Sequence, residues 1–123
     1  TAEIYFRYTG ATKKKALNNE ELLFMKFIKL LQYNFKSEKQ LDFYTRKLFI
    51  TDKYLIDICK KVAGKTPGTL IAEAVLAEAR LLLALPEYNV SSVSAELQYS
   101  SVAAFSKFFR KHTGISPVEY KNK

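Results

Sequence analysis

Residues 51–67 and 101–117 carry the same pattern at an offset of 50, and such a repeat constrains both copies to one local fold. Leu55 faces Phe105, Ile58 faces Phe108, Lys60 faces Arg110, Lys61 faces Lys111, Gly64 faces Gly114, Thr66 faces Ser116 and Pro67 faces Pro117. Each copy reads as a short helix, a turn and a second helix, then glycine, one residue, a hydroxyl cap and proline. The repeated unit is therefore a helix-turn-helix. The 123 residues leave room for one such domain and exclude separate catalytic and cofactor domains.

The segments around the repeat are also helical. Residues 1–17 hold Gly10 and the run Lys13-Lys14-Lys15 without a sustained period, and read as a tail or a linker from an upstream region. Asn18 caps a first helix with Glu20 and Glu21 at its start and Leu23, Phe27, Leu30, Leu31 and Phe35 on its core face. Ser37 and Gln40 form a capping box before a second helix ending near Leu48, and Thr51 caps a third running to Gly64. Thr66-Pro67 opens a long, mostly apolar helix that continues to about Leu85 and is stopped by Pro86, which places it centrally. Asn89 caps a short helix bearing Val90, Val93 and Leu97, and a further helix carries Phe105, Phe108 and Phe109 to Gly114. Ser116 with Glu119 opens the last one. The strand signal is weak after the tail. The prediction is an all-α domain of seven helices over 18–123, with helix-turn-helix motifs at about 37–65 and 89–114 and a central linker helix at about 66–85.

Twenty Lys and Arg against twelve Asp and Glu give a net charge of +8, which points to a polyanionic partner, nucleic acid or an anionic membrane surface. The charge follows the repeat: Lys60, Lys61 and Lys65 end one second helix, and Lys107, Arg110 and Lys111 end the other. Between Thr66 and Ser106 only Arg80 stands against Glu73, Glu78, Glu87 and Glu96. Recurrence of basic residues at one place in two units favours phosphate binding over a merely solvated face. The apolar stretch Thr69–Leu85 is broken by Glu73, Glu78 and Arg80, against a membrane span. One cysteine and one histidine support neither a disulfide nor a metal site and suit a reduced, intracellular setting. Cys59 falls on a core face, His112 suits a helix C-terminus, and Phe105 and Phe109 have core spacing with Phe108 at the rim. The Lys13–Lys15 run reads as solvated linker. No phosphate loop, nucleophile–base pair or metal-ligand cluster supports an enzyme, a cofactor or a metal.

The stretch NVSSVSAELQYSSVAAFSKFFRKHTGISPVEYK, with FYTRKLFITDKYLIDICKKVAGKTP before it, resembles the DNA-binding domain of the AraC/XylS family of bacterial transcription regulators. The resemblance covers about Leu41 to Lys121. It implies two homeodomain-like helix-turn-helix subunits joined by a linker helix, with both second helices in successive major-groove segments of double-stranded DNA. Carried over by position, the first recognition helix begins near Thr51 and offers Lys53, Tyr54 and Asp57 to the groove, with Lys60 and Lys61 toward the backbone. The second offers Ser101, Val102, Ala103, Ser106 and Lys107 to the bases and Arg110 to phosphate. The family also implies a cytoplasmic protein with an upstream sensor domain, through which chains can dimerise, and a start at Thr1 suits an excised C-terminal domain.

Three departures stand out. Phe49 and Gln98 occupy the turn positions where the family usually has glycine, and Phe49 is expected to turn in αR-type geometry. Asp57 replaces a residue that is often basic, and an ion pair with Lys53 or Lys61 is the expected remedy. Val102 and Ala103 leave few hydrogen-bonding groups for base edges, so the second helix either contacts thymine methyl groups or mainly adds backbone affinity. The competing readings are a helical protein-interaction module and, less well supported, a basic membrane-surface domain.

Overall fold

A capping box at Asn18 starts the described part of the chain, residues 18–123 of a computed structural model. The Asn18 side chain accepts from the Glu21 N–H at 2.8 Å, and the Glu21 carboxylate accepts from the Asn18 N–H at 3.1 Å, satisfying two donors that a helix start leaves over. The helices are α1 (Asn19–Asn34), α2 (Leu41–Leu48), α3 (Asp52–Ala63), α4 (Pro67–Leu83), α5 (Val90–Glu96), α6 (Val102–Thr113) and α7 (Pro117–Lys121). Among the described residues there is no strand. The tail at residues 1–17, with Lys13–Lys15, lies outside the described residues. Two compact units divide between Ala74 and Val75, inside α4.

The caps form where the hydroxyls and amides predict them. Thr51, Asn89 and Ser116 accept from the backbone N–H three residues on, and Thr66 does the same for Thr69 at the head of α4. Ser101, read from the sequence only as a base contact, also caps α6 by accepting from the Ala104 N–H. Gly64 and Gly114 close α3 and α6 in the left-handed region, at φ 71° and 84°. The long helix ends two residues before the expected Leu85, and Lys121 of α7 donates to the carbonyls of Leu83 and Leu85 at 3.1 Å each. A cation thereby satisfies acceptors that the end of α4 leaves over.

Three local expectations are corrected. In α1 the buried stripe is Phe24, Phe27, Ile28, Leu31 and Phe35, while Leu23 and Leu30 are half-buried. Leu23 and Leu30 each sit one position, about 100°, off that stripe. The Ser37–Gln40 capping box does not form, because Ser37 belongs to the turn that closes α1. Its N–H and hydroxyl both bond the Asn34 carbonyl, and α2 starts at Leu41 with no side-chain cap. Tyr44 anchors α2 instead: its ring is buried edge-on to Phe27 at 5.4 Å, and its hydroxyl donates to the Glu38 carbonyl at 2.7 Å.

The third correction is Phe49, which is left-handed at φ 59°, as Gln98 is at φ 61°. The Phe49 and Ile50 N–H groups bond the carbonyls of Arg46 and Thr45; those of Gln98 and Tyr99 bond Ala95 and Ser94. Both are Schellman ends, which demand a left-handed residue whatever its side chain. A non-glycine residue there costs about 1 kcal/mol. Since Phe49 is 93% exposed, little packing would be lost on replacement. Phe49→Gly and Gln98→Gly should each raise stability by up to about 1 kcal/mol, read as a higher urea midpoint. A lowered midpoint would show that the side chain itself supports the turn.

Candidate nucleic-acid interface

Each recognition helix is set by a buried hydroxyl on the helix before it. Thr45 of α2 donates to the Asp52 carboxylate at 2.8 Å, and Ser94 of α5 donates to the Ser101 carbonyl at 3.1 Å. Both hydroxyl residues are buried, and each bonds the first residues of the helix that follows its turn. Leu55, Ile58 and Cys59 of α3, and Phe105 and Phe109 of α6, then fill their units' cores as expected. Burial pushes the Cys59 thiol up to about 12. Phe108 takes the rim, half-buried between Tyr99 at 5.7 Å and His112 at 4.7 Å.

With those faces fixed, the opposite faces are fixed too. In the first unit Thr51, Lys53, Tyr54, Asp57, Lys60 and Lys61 are all exposed along α3. In the second, Ser101, Val102, Ala103, Lys107 and Arg110 are exposed along α6 and Ser106 is half-buried. The two surfaces differ in chemistry. The first turn of α3 carries Asp52, whereas that of α6 is Val102-Ala103-Ala104 with no acid.

Local ion pairs trim the basic surface. Lys53 meets Asp57 at 3.3 Å, as the one-turn spacing predicts, and the pair is well exposed, so it contributes only about 0.3–0.5 kcal/mol. Lys61 does not join it. That side chain reaches Glu20 of α1 at 2.6 Å, and the hydrogen bond it donates to the Glu20 carboxylate raises its pKa. Lys65 is held by Glu73 of α4 at 2.7 Å. Neither acid was visible as a partner in the sequence, because no helical spacing links Glu20 to a residue 41 positions away. Lys60, Lys107 and Arg110 form no ion pair among the described residues. No group of three His, Cys, Asp or Glu among the described residues is placed to hold a metal ion, and no described helix is long and apolar enough to cross a membrane.

Two helix-turn-helix units, each with a capped second helix that exposes polar or small side chains and ends in basic residues, define a DNA-binding domain of the transcription-regulator class. The family described as helix-turn-helix domain matches residues 44–123, and the chain belongs to this AraC-type family. It is 35% identical over 63 residues, 51% of its length, to the uncharacterized HTH-type transcriptional regulator YobQ of Bacillus subtilis, and spans 26% of that protein. Its fold is similar to the C-terminal domain of AraT, a response regulator from Geobacillus stearothermophilus, with TM-score 0.76 and 20% identity over 85% of this chain and 88% of that one. It is also similar to the DNA-binding domain of AdpA, a global transcriptional factor solved with a target DNA, with TM-score 0.69 and 16% identity over 79% and 87% of the two chains.

The core position of Cys59 gives a direct check. The native protein should not react with a thiol reagent at neutral pH and should react fully once unfolded in urea. Fast labelling of the folded chain would mean that α3 opens from its unit.

Proposed function

We propose that this chain reads double-stranded DNA in two successive major-groove segments, one per unit, and chooses its sequence with residues of α3 and α6. The supporting observation is the recurrence in both units of one device: a hydroxyl-capped twelve-residue helix, tied by a buried hydroxyl, with an exposed outer face and a basic last turn. In this reading Lys53, Tyr54 and Asp57 of α3 meet base edges from its N-terminal half. Asp57, neutralised by Lys53, then adds little repulsion. Lys60 takes a larger share of phosphate contact than Lys61, whose ammonium is held by Glu20.

On α6, Ser101, Ser106 and Lys107 supply hydrogen bonds and Arg110 a phosphate contact. Val102 is 42% exposed and Ala103 stands beside it. Their methyl groups suit thymine C5-methyl contacts, so the second segment of the site is thymine-containing. Residues 18–123 act as one DNA-reading domain of a longer cytoplasmic regulator, with residues 1–17 leading to an upstream sensor domain through which two chains pair. The short share of YobQ that the chain spans supports that reading.

Selection from a randomised duplex library at two salt concentrations tests the proposal. Two enriched blocks about one helical turn apart are expected; salt-sensitive binding without enrichment, or none at low salt, would overturn specific reading by this chain alone. On the selected site, deoxyuridine for thymine in the second block should weaken binding about fivefold, and unchanged affinity would remove Val102 and Ala103 from base contact. Lys60→Ala should weaken all sequences alike and flatten the salt slope by about 1 unit. An unaltered slope would take Lys60 off the phosphates.

A further inference from the structure

In the first unit, α1 and the end of α2 frame an open hollow of about 330 Å³. Leu30 and Tyr33 of α1 and Leu48 of α2 make it apolar, with Lys26 and Lys29 among its lining residues. Leu30 is one of the leucines displaced from the core stripe, and Tyr33 is 73% exposed. One residue beyond Leu48 stands the exposed, left-handed Phe49, which lines a second hollow with Arg46 and Lys47. No carboxylate lines either hollow; Arg46, which lines the second, pairs with Asp42 at 3.2 Å.

Two large aromatic side chains in water, beside an apolar hollow and several cations, form a surface with a distinct complement. An apolar side chain would fill the hollow, and carboxylates around it would meet the lysines. None of the lining residues belongs to α3, so this surface uses none of the side chains assigned to base or phosphate contact. A phosphate backbone would use the lysines and leave Leu30, Tyr33 and Leu48 exposed.

We propose that this face docks an acidic segment of a second protein, which inserts a leucine or phenylalanine side chain between Leu30, Tyr33 and Leu48 and sets its carboxylates against Lys26, Lys29 and Lys47. The binding mode is an amphipathic segment in a groove. It is separate from DNA reading and stands if that reading fails.

The test is titration of the intact isotope-labelled chain with a synthetic amphipathic peptide, glutamate on one face and leucine with one phenylalanine on the other. A second peptide has glutamine for every glutamate. The acidic peptide should shift the amide signals of residues 26–33 and 46–49, and the glutamine peptide should bind about tenfold more weakly. Tyr33→Ser with Phe49→Ser should weaken the acidic peptide about tenfold. Both side chains are exposed, so this variant keeps its fold, checked by circular dichroism. Its affinity for duplex DNA should stay within about twofold of the parent. Absence of shifts in that region, equal binding of the two peptides, or peptide binding unaffected by the double substitution would each overturn the proposal. So would a substantial loss of DNA affinity in the variant, which would make the face a DNA contact.

Discussion

The buried hydroxyl that spans each turn is the interaction on which the reading surfaces depend. Thr45 and Ser94 occupy the same position before their turns, four residues ahead of the left-handed Phe49 and Gln98, and each bonds the start of the next helix. A buried hydroxyl without a partner costs about 1–3 kcal/mol, so the bond discourages any rotation of α3 or α6 that would break it. The apolar stripes of those helices do the rest by sinking into the cores. Which side chains face outward is thus decided from the inside, and the outward set follows from the 3.6-residue period.

Charge is sorted by the same packing. A net charge of +8 suggests a broadly basic surface, yet Glu20 holds Lys61 and Glu73 holds Lys65, both within the first unit. Among the described residues, Lys107 and Arg110 of the second unit form no such pair. The two recognition helices are therefore unequal despite their common frame. The helix α3 offers mixed charge with an internal ion pair, and α6 offers small apolar groups followed by cations. In the proposed reading α3 brings charged and polar groups to the base edges and α6 brings methyl groups, a division that a pair of identical units could not supply.

Much of this was legible in the sequence because the repeat is written in caps. Hydroxyl, helix, glycine, hydroxyl and proline are local signals, each with a backbone reason, and the five N-caps read from the sequence, Asn18, Thr51, Thr66, Asn89 and Ser116, form in the structure. The fold class and the core faces of α3 and α6 follow from them. What was missed has tertiary causes. Ser37 has the right spacing from Gln40, but the turn after α1 uses its backbone and hydroxyl before α2 begins. Leu23 and Leu30 are as apolar as their neighbours, and only packing selects Phe24 and Ile28 over them. The repeat itself runs back through the turns to Thr45 and Ser94, at an offset of 49 there, because the second turn holds one more residue. A single offset of 50 hides that extension. The partners of Lys61 and Lys65 come from other helices and left no spacing to read.

The two turns also serve as controls for one another. Phe49 and Gln98 share the left-handed conformation and the same pair of backbone bonds, so their backbone cost is alike. They differ in the side chain. Glutamine at an exposed turn is solvated through its amide, whereas phenylalanine at 93% exposure offers a full ring to water. Neither the Schellman geometry nor the core of the first unit uses that ring. Since the turn would close with glycine at lower cost, the exposed ring is what the proposed docking surface draws on. Its position one residue from an apolar hollow edged by lysines gives that docking a chemistry: an apolar side chain on an acidic segment, on a surface separate from the outer face of α3.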